Sequence, residues 1–162
     1  MKSDFFLVTV AASSLSLASF SAFGQSQTVT YETPREFHAQ ADFDGDGRAD
    51  CVIVDKQTGK IRLGYQRQEG TLTWVDNRPS DIKGVTGFTV GKLHSNGLPA
   101  LAFASPDADY LTVVDVSSST APGRPIRVPF AAGLGPNMVV AIDVGGDGNT
   151  PIADFLVGSI YN

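Results

Sequence analysis

Residues 42–50 read Asp-Phe-Asp-Gly-Asp-Gly-Arg-Ala-Asp, which places carboxylates at positions 1, 3, 5 and 9 of a nine-residue span. Four acids this close repel one another unless a cation sits among them. Calcium suits such a donor set, because it takes roughly six to eight oxygen ligands from carboxylates and backbone carbonyls. Asp42, Asp44, Asp46 and Asp50 are the expected carboxylate ligands, and the carbonyl of Arg48 at position 7 is expected to add another. Gly47 at position 6 permits the sharp turn around an ion, and Gly45 lets the backbone pass close. Magnesium fits less well, since it dehydrates reluctantly and seldom uses an all-protein cage. The plain structural alternative is a solvated acidic turn whose carboxylates cap backbone amides. An EF-hand would need Glu at position 12 and a helix on each side. Position 12 is Ile53, inside the run Cys51-Val-Ile-Val54, so the loop closes at Asp50 and enters a strand.

The elements around this loop are short and β-like. After residue 25 no segment carries a 3.6-residue apolar period. Short β-branched or alternating runs recur instead, at 29–31, 51–55, 61–65, 72–75, 88–93, 100–104, 111–116, 126–130, 138–142 and 155–160. Gly-, Asn-, Asp- and Pro-containing turns separate them, the pattern of an all-β sandwich, barrel or propeller. A repeat decides among these. Residues 41–55 (ADFDGDGRADCVIVD), 90–104 (VGKLHSNGLPALAFA) and 141–158 (AIDVGGDGNTPIADFLVG) each run strand, polar glycine loop, apolar strand. Asp46-Gly47, Asn96-Gly97 and Asp147-Gly148 fall in register, about 50 residues apart. That period matches a four-stranded propeller blade.

The later loops are degraded. Residues 92–100 place Lys92, His94, Asn96 and Ala100 at the ligand positions, and a lysine at position 1 repels a cation. The third loop, 143–154, keeps Asp143 and Asp147 but has Gly145 at position 3, and its next acid, Asp154, comes three residues late. A weak ion site and a metal-free loop are equally compatible with Asp143, Asp147 and Asp154.

At these residues the chain resembles the FG-GAP, or VCBS-type, repeats of integrin-α-like β-propellers, which carry an Asp-x-Asp-Gly-Asp-Gly-x-x-Asp loop before an apolar strand. Asp42, Asp44, Asp46 and Asp50 match that loop, Cys51–Val54 the strand, and Asp154-Phe-Leu-Val-Gly158 the same strand of a later repeat. The resemblance covers most of residues 38–160, strongly in the first repeat and loosely in the others. It implies calcium-stabilised blades used in adhesion, glycan binding or scaffolding.

Composition narrows the partners. The net charge is −5, with 17 acidic against 12 basic residues, and no Lys/Arg cluster marks a nucleic-acid face. One cysteine, Cys51, excludes an intramolecular disulfide and a cysteine-based zinc cage. Residues 1–24 read as a secretory signal peptide: Lys2, the apolar run Phe5–Phe20, then Ala22-Phe23-Gly24 with cleavage expected after Gly24. An N-terminal membrane anchor is the competing reading. Residues 25–162 contain no run long enough to span a bilayer.

The expectation is therefore an all-β protein of β-propeller-type blades, about three repeats with the last incomplete, over residues 25–162. Its expected role is a secreted, periplasmic or cell-surface calcium-binding module for an extracellular protein or glycan ligand. The rival readings are a propeller-based polysaccharide-active enzyme or its accessory module, and a fragment without independent function. No Gly-x-Ser-x-Gly elbow exists, and nothing around His38, His94, Glu32, Glu36 or Glu69 marks a catalytic pair. Trp74, Tyr31, Tyr65 and Tyr110 are candidates to stack on sugars or to pack between blades. An incomplete ring leaves residues such as Leu156 and Val157 without a covering neighbour, which predicts either self-association that completes the ring or, the favoured outcome, marginal stability and aggregation of a piece of something longer.

Overall fold

The computed structural model describes residues 29–68, 70–93, 97–118, 123–142 and 153–159; residues 1–24, with the expected leader, lie outside it. Among the described residues there are strands and turns and no helix. A first sheet holds β1 (Val29–Glu32), β2 (Glu36–Ala41), β3 (Asp50–Asp55), β4 (Lys60–Gln68) and β5 (Thr71–Pro79). A second holds β6 (Gly87–Gly91), β7 (Ala100–Ala104), β8 (Tyr110–Asp115) and β9 (Ile126–Pro129), and a third pairs β10 (Pro136–Ile142) with β11 (Asp154–Ser159). Each sheet runs in chain order with antiparallel neighbours, and none closes on itself. The all-β expectation holds.

Three strand connections have matching ends. Ala41 pairs with Asp50 across the first loop, Gly91 with Ala100 across the second, and Ile142 with Asp154 across the third. Each segment thus leaves its strand one residue after a paired position and returns at the partner of that position. In the third, the strand partners are 12 residues apart against 9 in the others (154 − 142; 50 − 41; 100 − 91), the three-residue excess visible in the sequence.

Alternation builds the core. Val52 and Val54 of β3, with Ile61, Leu63 and Tyr65 of β4, face inward and are fully buried. They meet Phe88 and Val90 of β6, Leu101 and Phe103 of β7, and Val114 and Val116 beyond them. Phe37, Phe88 and Phe103 form a chain of rings with centroids 5.5 and 5.4 Å apart. The opposite face of the second sheet, Ala100, Ala102, Ala104, Leu111 and Val113, packs on Val139, Phe155 and Val157 of the third. The second sheet is therefore buried on both faces. Val157 has a covering neighbour, unlike the expectation from sequence, whereas Leu156 on the other face is 50 % exposed.

Polar ties lock the first sheet to the second. Buried Tyr65 donates its hydroxyl to the Val116 carbonyl at 2.6 Å, and Arg78 donates to the Ser118 carbonyl at 2.8 Å. Asp81, at φ 64°, sits in the left-handed region that Asp tolerates better than most residues. Its carboxylate receives the Arg127 guanidinium at 2.9 and 2.6 Å, and that guanidinium lies 4.7 Å over the Tyr110 ring.

Candidate metal centre

The 42–50 loop hangs between β2 and β3, whose pairing fixes both of its ends. Within it Gly45 and Gly47 adopt φ of 79° and 81°, values that side chains disfavour. The turns they permit aim backbone N–H groups inward. Asp42 Oδ1 accepts from Gly45 N at 2.8 Å and Asp46 N at 3.1 Å, and its Oδ2 accepts from Gly47 N at 2.9 Å. Asp44 Oδ1 accepts from Asp46 N at 3.3 Å, while its Oδ2 meets the Arg67 guanidinium at 2.5 Å. Arg67 arrives from β4 and rests over the Tyr65 ring.

Asp50 is the anchor, 1 % exposed at the start of β3. Its Oδ2 accepts from Phe43 N at 2.9 Å and its Oδ1 from Gln66 N at 2.8 Å, so one carboxylate ties the loop to β4. Burial pushes its pKa above the ordinary 3.8, against the two amide bonds, and the charges of Asp44 and Asp46 push the same way. An extra positive charge here would relieve all three carboxylates.

The structure gathers three of the four acids. Ligand oxygens of Asp42, Asp44 and Asp50 lie within 4.8 Å of one another. Oxygens that share one divalent ion at ~2.3–2.6 Å are no more than about 5 Å apart, so this trio could hold a metal ion. Asp46 turns away: its carboxylate accepts from Arg48 N at 2.9 Å and pairs with the Arg48 guanidinium at 2.9 Å on the exposed rim. Arg48 therefore neutralises the rim acid with its side chain. Sequence reasoning missed Arg67, the countercharge to Asp44, and Gln66, the second clamp on Asp50.

The other two loops differ in chemistry. Ala100, the counterpart of Asp50, is buried in the apolar second core. Lys92 accepts a backbone bond from Ala153 at 2.7 Å, which joins the second loop to the third. His94, Asn96, Asp143 and Asp147 lie outside the described residues, and Asp154 opens β11 half-buried. Glu69 also lies outside them. Glu32 pairs with Lys56, and Glu36 lies 3.3 Å from His38. Of the aromatic candidates, Tyr65 is in the core, whereas Tyr31 and Trp74 stand exposed on the outer face of the first sheet. Cys51 lies half-buried on that same face, its thiol pKa raised by burial. At the far end of β3 from the acids, an open hollow of about 720 Å³ is lined by Arg35, Lys56, Gln57 and Asp107 among others. No helix among the described residues is long and apolar enough to cross a membrane.

Comparison of the chain with protein-family models, with curated proteins and with solved structures gives no match.

Proposed function

We propose that this chain is an exported calcium-binding repeat module of β-propeller type, whose role is to bind a protein or glycan outside the cytoplasm. The observation that carries the reading is the convergence of Asp42, Asp44 and Asp50 within 4.8 Å, on a loop turned by two left-handed glycines. Bound there, calcium supplies charge neutralisation among the carboxylates and a cross-link from the loop to β3. The chain's own residues prepare the place: backbone amides orient Asp42, Arg67 holds Asp44, and β4 holds Asp50. The succession of antiparallel sheets, each with such a loop between two of its neighbouring strands, supports the blade reading. The acidic loop's resemblance to FG-GAP repeats and the leader-like residues 1–24 support an extracellular setting.

Calorimetric titration with calcium chloride, followed by a glycan array with and without chelator, tests this. One bound ion per chain and chelator-sensitive glycan capture are expected. Absence of calcium binding at millimolar concentration refutes the ion, and turnover of a polysaccharide on the array replaces the binding role with an enzymatic one.

A further inference from the structure

Residues 44–47 hold two Asp–Gly steps in succession, Asp44–Gly45 and Asp46–Gly47. Such steps carry a reaction of their own. The glycine nitrogen, unshielded by a Cβ, bonds to the aspartate Cγ, and the carboxyl OH and the amide hydrogen leave together as water. Solvent water then opens the five-membered imide. Attack at the side-chain carbonyl restores aspartate. Attack at the main-chain carbonyl leaves the chain running through the side-chain carboxyl, as isoaspartate. One water leaves and one enters, nothing is oxidised or reduced, and the main chain gains a methylene.

For that reaction the glycine nitrogen must be released and Cγ must turn onto it. One side chain holds both nitrogens: Gly45 N donates to Asp42 Oδ1 at 2.8 Å and Gly47 N to Asp42 Oδ2 at 2.9 Å. Asp46 N also donates to Oδ1, at 3.1 Å. The two carboxylates are held differently. The Asp44 side chain is 11 % exposed, and the Arg67 guanidinium grips its Oδ2 from β4, outside the loop. Leu98 Cδ2 lies 3.0 Å from where a Cβ on Gly45 would stand. The Asp46 side chain is 25 % exposed, and its carboxylate bonds come from Arg48, two residues on, at the exposed rim. A Cβ on Gly47 would meet nothing within 4 Å.

We infer that Asp46–Gly47 is a site of spontaneous isoaspartate formation, and that Asp42 restrains it through Oδ2. Asp44–Gly45 is locked by contrast, its nitrogen by Asp42 and its carboxylate by β4. Neither the ion nor the blade reading enters this inference. To react, the Asp46–Gly47 step must give up a charge-assisted bond, which slows it by roughly tenfold or more.

The test incubates the whole chain with chelator, folded and in urea, and follows it by tryptic peptide mapping. Cleavage after Arg35 and Arg48 releases both steps on one peptide, and electron-transfer fragmentation tells isoaspartate from aspartate at each. In urea the two steps are expected to convert at similar rates. In the folded chain Asp46 is expected to convert slowly and Asp44 to be protected. Asp42→Asn leaves one oxygen in place of two. Oδ1 serves two donors and Oδ2 one, so the Asn oxygen takes the Oδ1 place and its NH2 confronts Gly47 N. Conversion at Asp46 in the folded variant is expected to rise roughly tenfold or more, with Asp44 unchanged. Emission of the single tryptophan, Trp74, reports whether the variant is folded. A folded variant whose Asp46 converts no faster than in the unmodified chain overturns the proposal. If the variant does not fold, the two steps of the unmodified chain decide. Equal conversion there, including none at either, or faster conversion at Asp44, overturns it as well.

Discussion

Asp44→Asn and Asp50→Asn should separate the ion from the fold. In chelator, Asp50→Asn removes one of two amide acceptors in a site that is 1 % exposed. Asn offers a single carbonyl oxygen to Phe43 N or Gln66 N, and its amide hydrogens confront the other donor. A charge-assisted bond contributes about 1.5–3 kcal/mol, and an orphaned buried donor costs about 1–3 kcal/mol. Relief of the buried charge offsets part of this, since burial already raises the Asp50 pKa. The net loss should be roughly 2–4 kcal/mol. Asp44→Asn keeps one oxygen for Arg67 and gives up the long 3.3 Å bond from Asp46 N, which still has Asp42 Oδ1 at 3.1 Å; with the ion pair to the half-exposed Arg67 weakened by about 0–1 kcal/mol and repulsion on Asp50 eased, its net loss should be the smaller of the two. On the proposed site, calcium at about 1 mM with a dissociation constant of ~0.1 mM should add about 1.4 kcal/mol to the unmodified chain, and neither variant should gain it. Urea unfolding read by the single tryptophan, Trp74, measures all six conditions. Equal losses for the two variants in chelator would refute the Asp50 clamp. A full calcium increment in Asp44→Asn would remove that residue from the ligand set.

Gly59→Ala should be far more damaging than Gly47→Ala, as thermal melts will show. Both glycines have positive φ, but an added Cβ meets nothing at Gly47 and lies 1.8 Å from the Ile82 carbonyl oxygen at Gly59. Tyr65→Phe should cost about 1–2 kcal/mol in urea unfolding, because the Val116 carbonyl loses a 2.6 Å bond in the core. Thr58 donates from both its hydroxyl and its amide to Asp55, which holds that carboxyl below its ordinary pKa. That contribution is present above pH 3.8 and lost as pH falls through the lowered value, so Thr58→Ala should flatten the acid side of the stability curve. Asp50 has the opposite sign: its raised pKa makes the calcium-free fold lose stability as pH rises from 3.8 through the raised value, and Asp50→Asn should remove that slope.

The strands were largely legible because their side chains alternate at the pleat period. Ten of the eleven strands among the described residues lie on apolar runs visible in the chain. The exception is β2, whose inward residues are Phe37, Ala39 and Ala41. Alanine carries little strand preference, so the alternation with Glu36, His38 and Gln40 is faint. Its position just before the acidic loop, 50 residues ahead of β6, was the signal that finds it. In the loop, spacing alone brought Asp42 and Asp44 together. It did not reveal that Asp46 folds back on Arg48, nor that Gln66 and Arg67 close the site. Those two sit on β4 and approach only through the β3–β4 pairing, a contact that local spacing does not encode.

The difference between the first and second loops follows from the same geometry. Asp50 and Ala100 occupy one register position, each the partner of the last residue before a loop. In the first sheet that position faces the loop amides and Gln66, so a carboxylate there is satisfied by two donors. In the second sheet it faces Val139 and the apolar residues of the third, where an ionised carboxylate would be buried without compensation. Ala100 also lets a sheet with glycine at 87 and 91 approach β10 closely enough that added Cβ atoms there would collide with its backbone or with Ala141. Burial of the second sheet on both faces thus favours small apolar residues where the first sheet carries Asp50. An alanine rather than a carboxylate at position 100 agrees with the packing of the second sheet on the third.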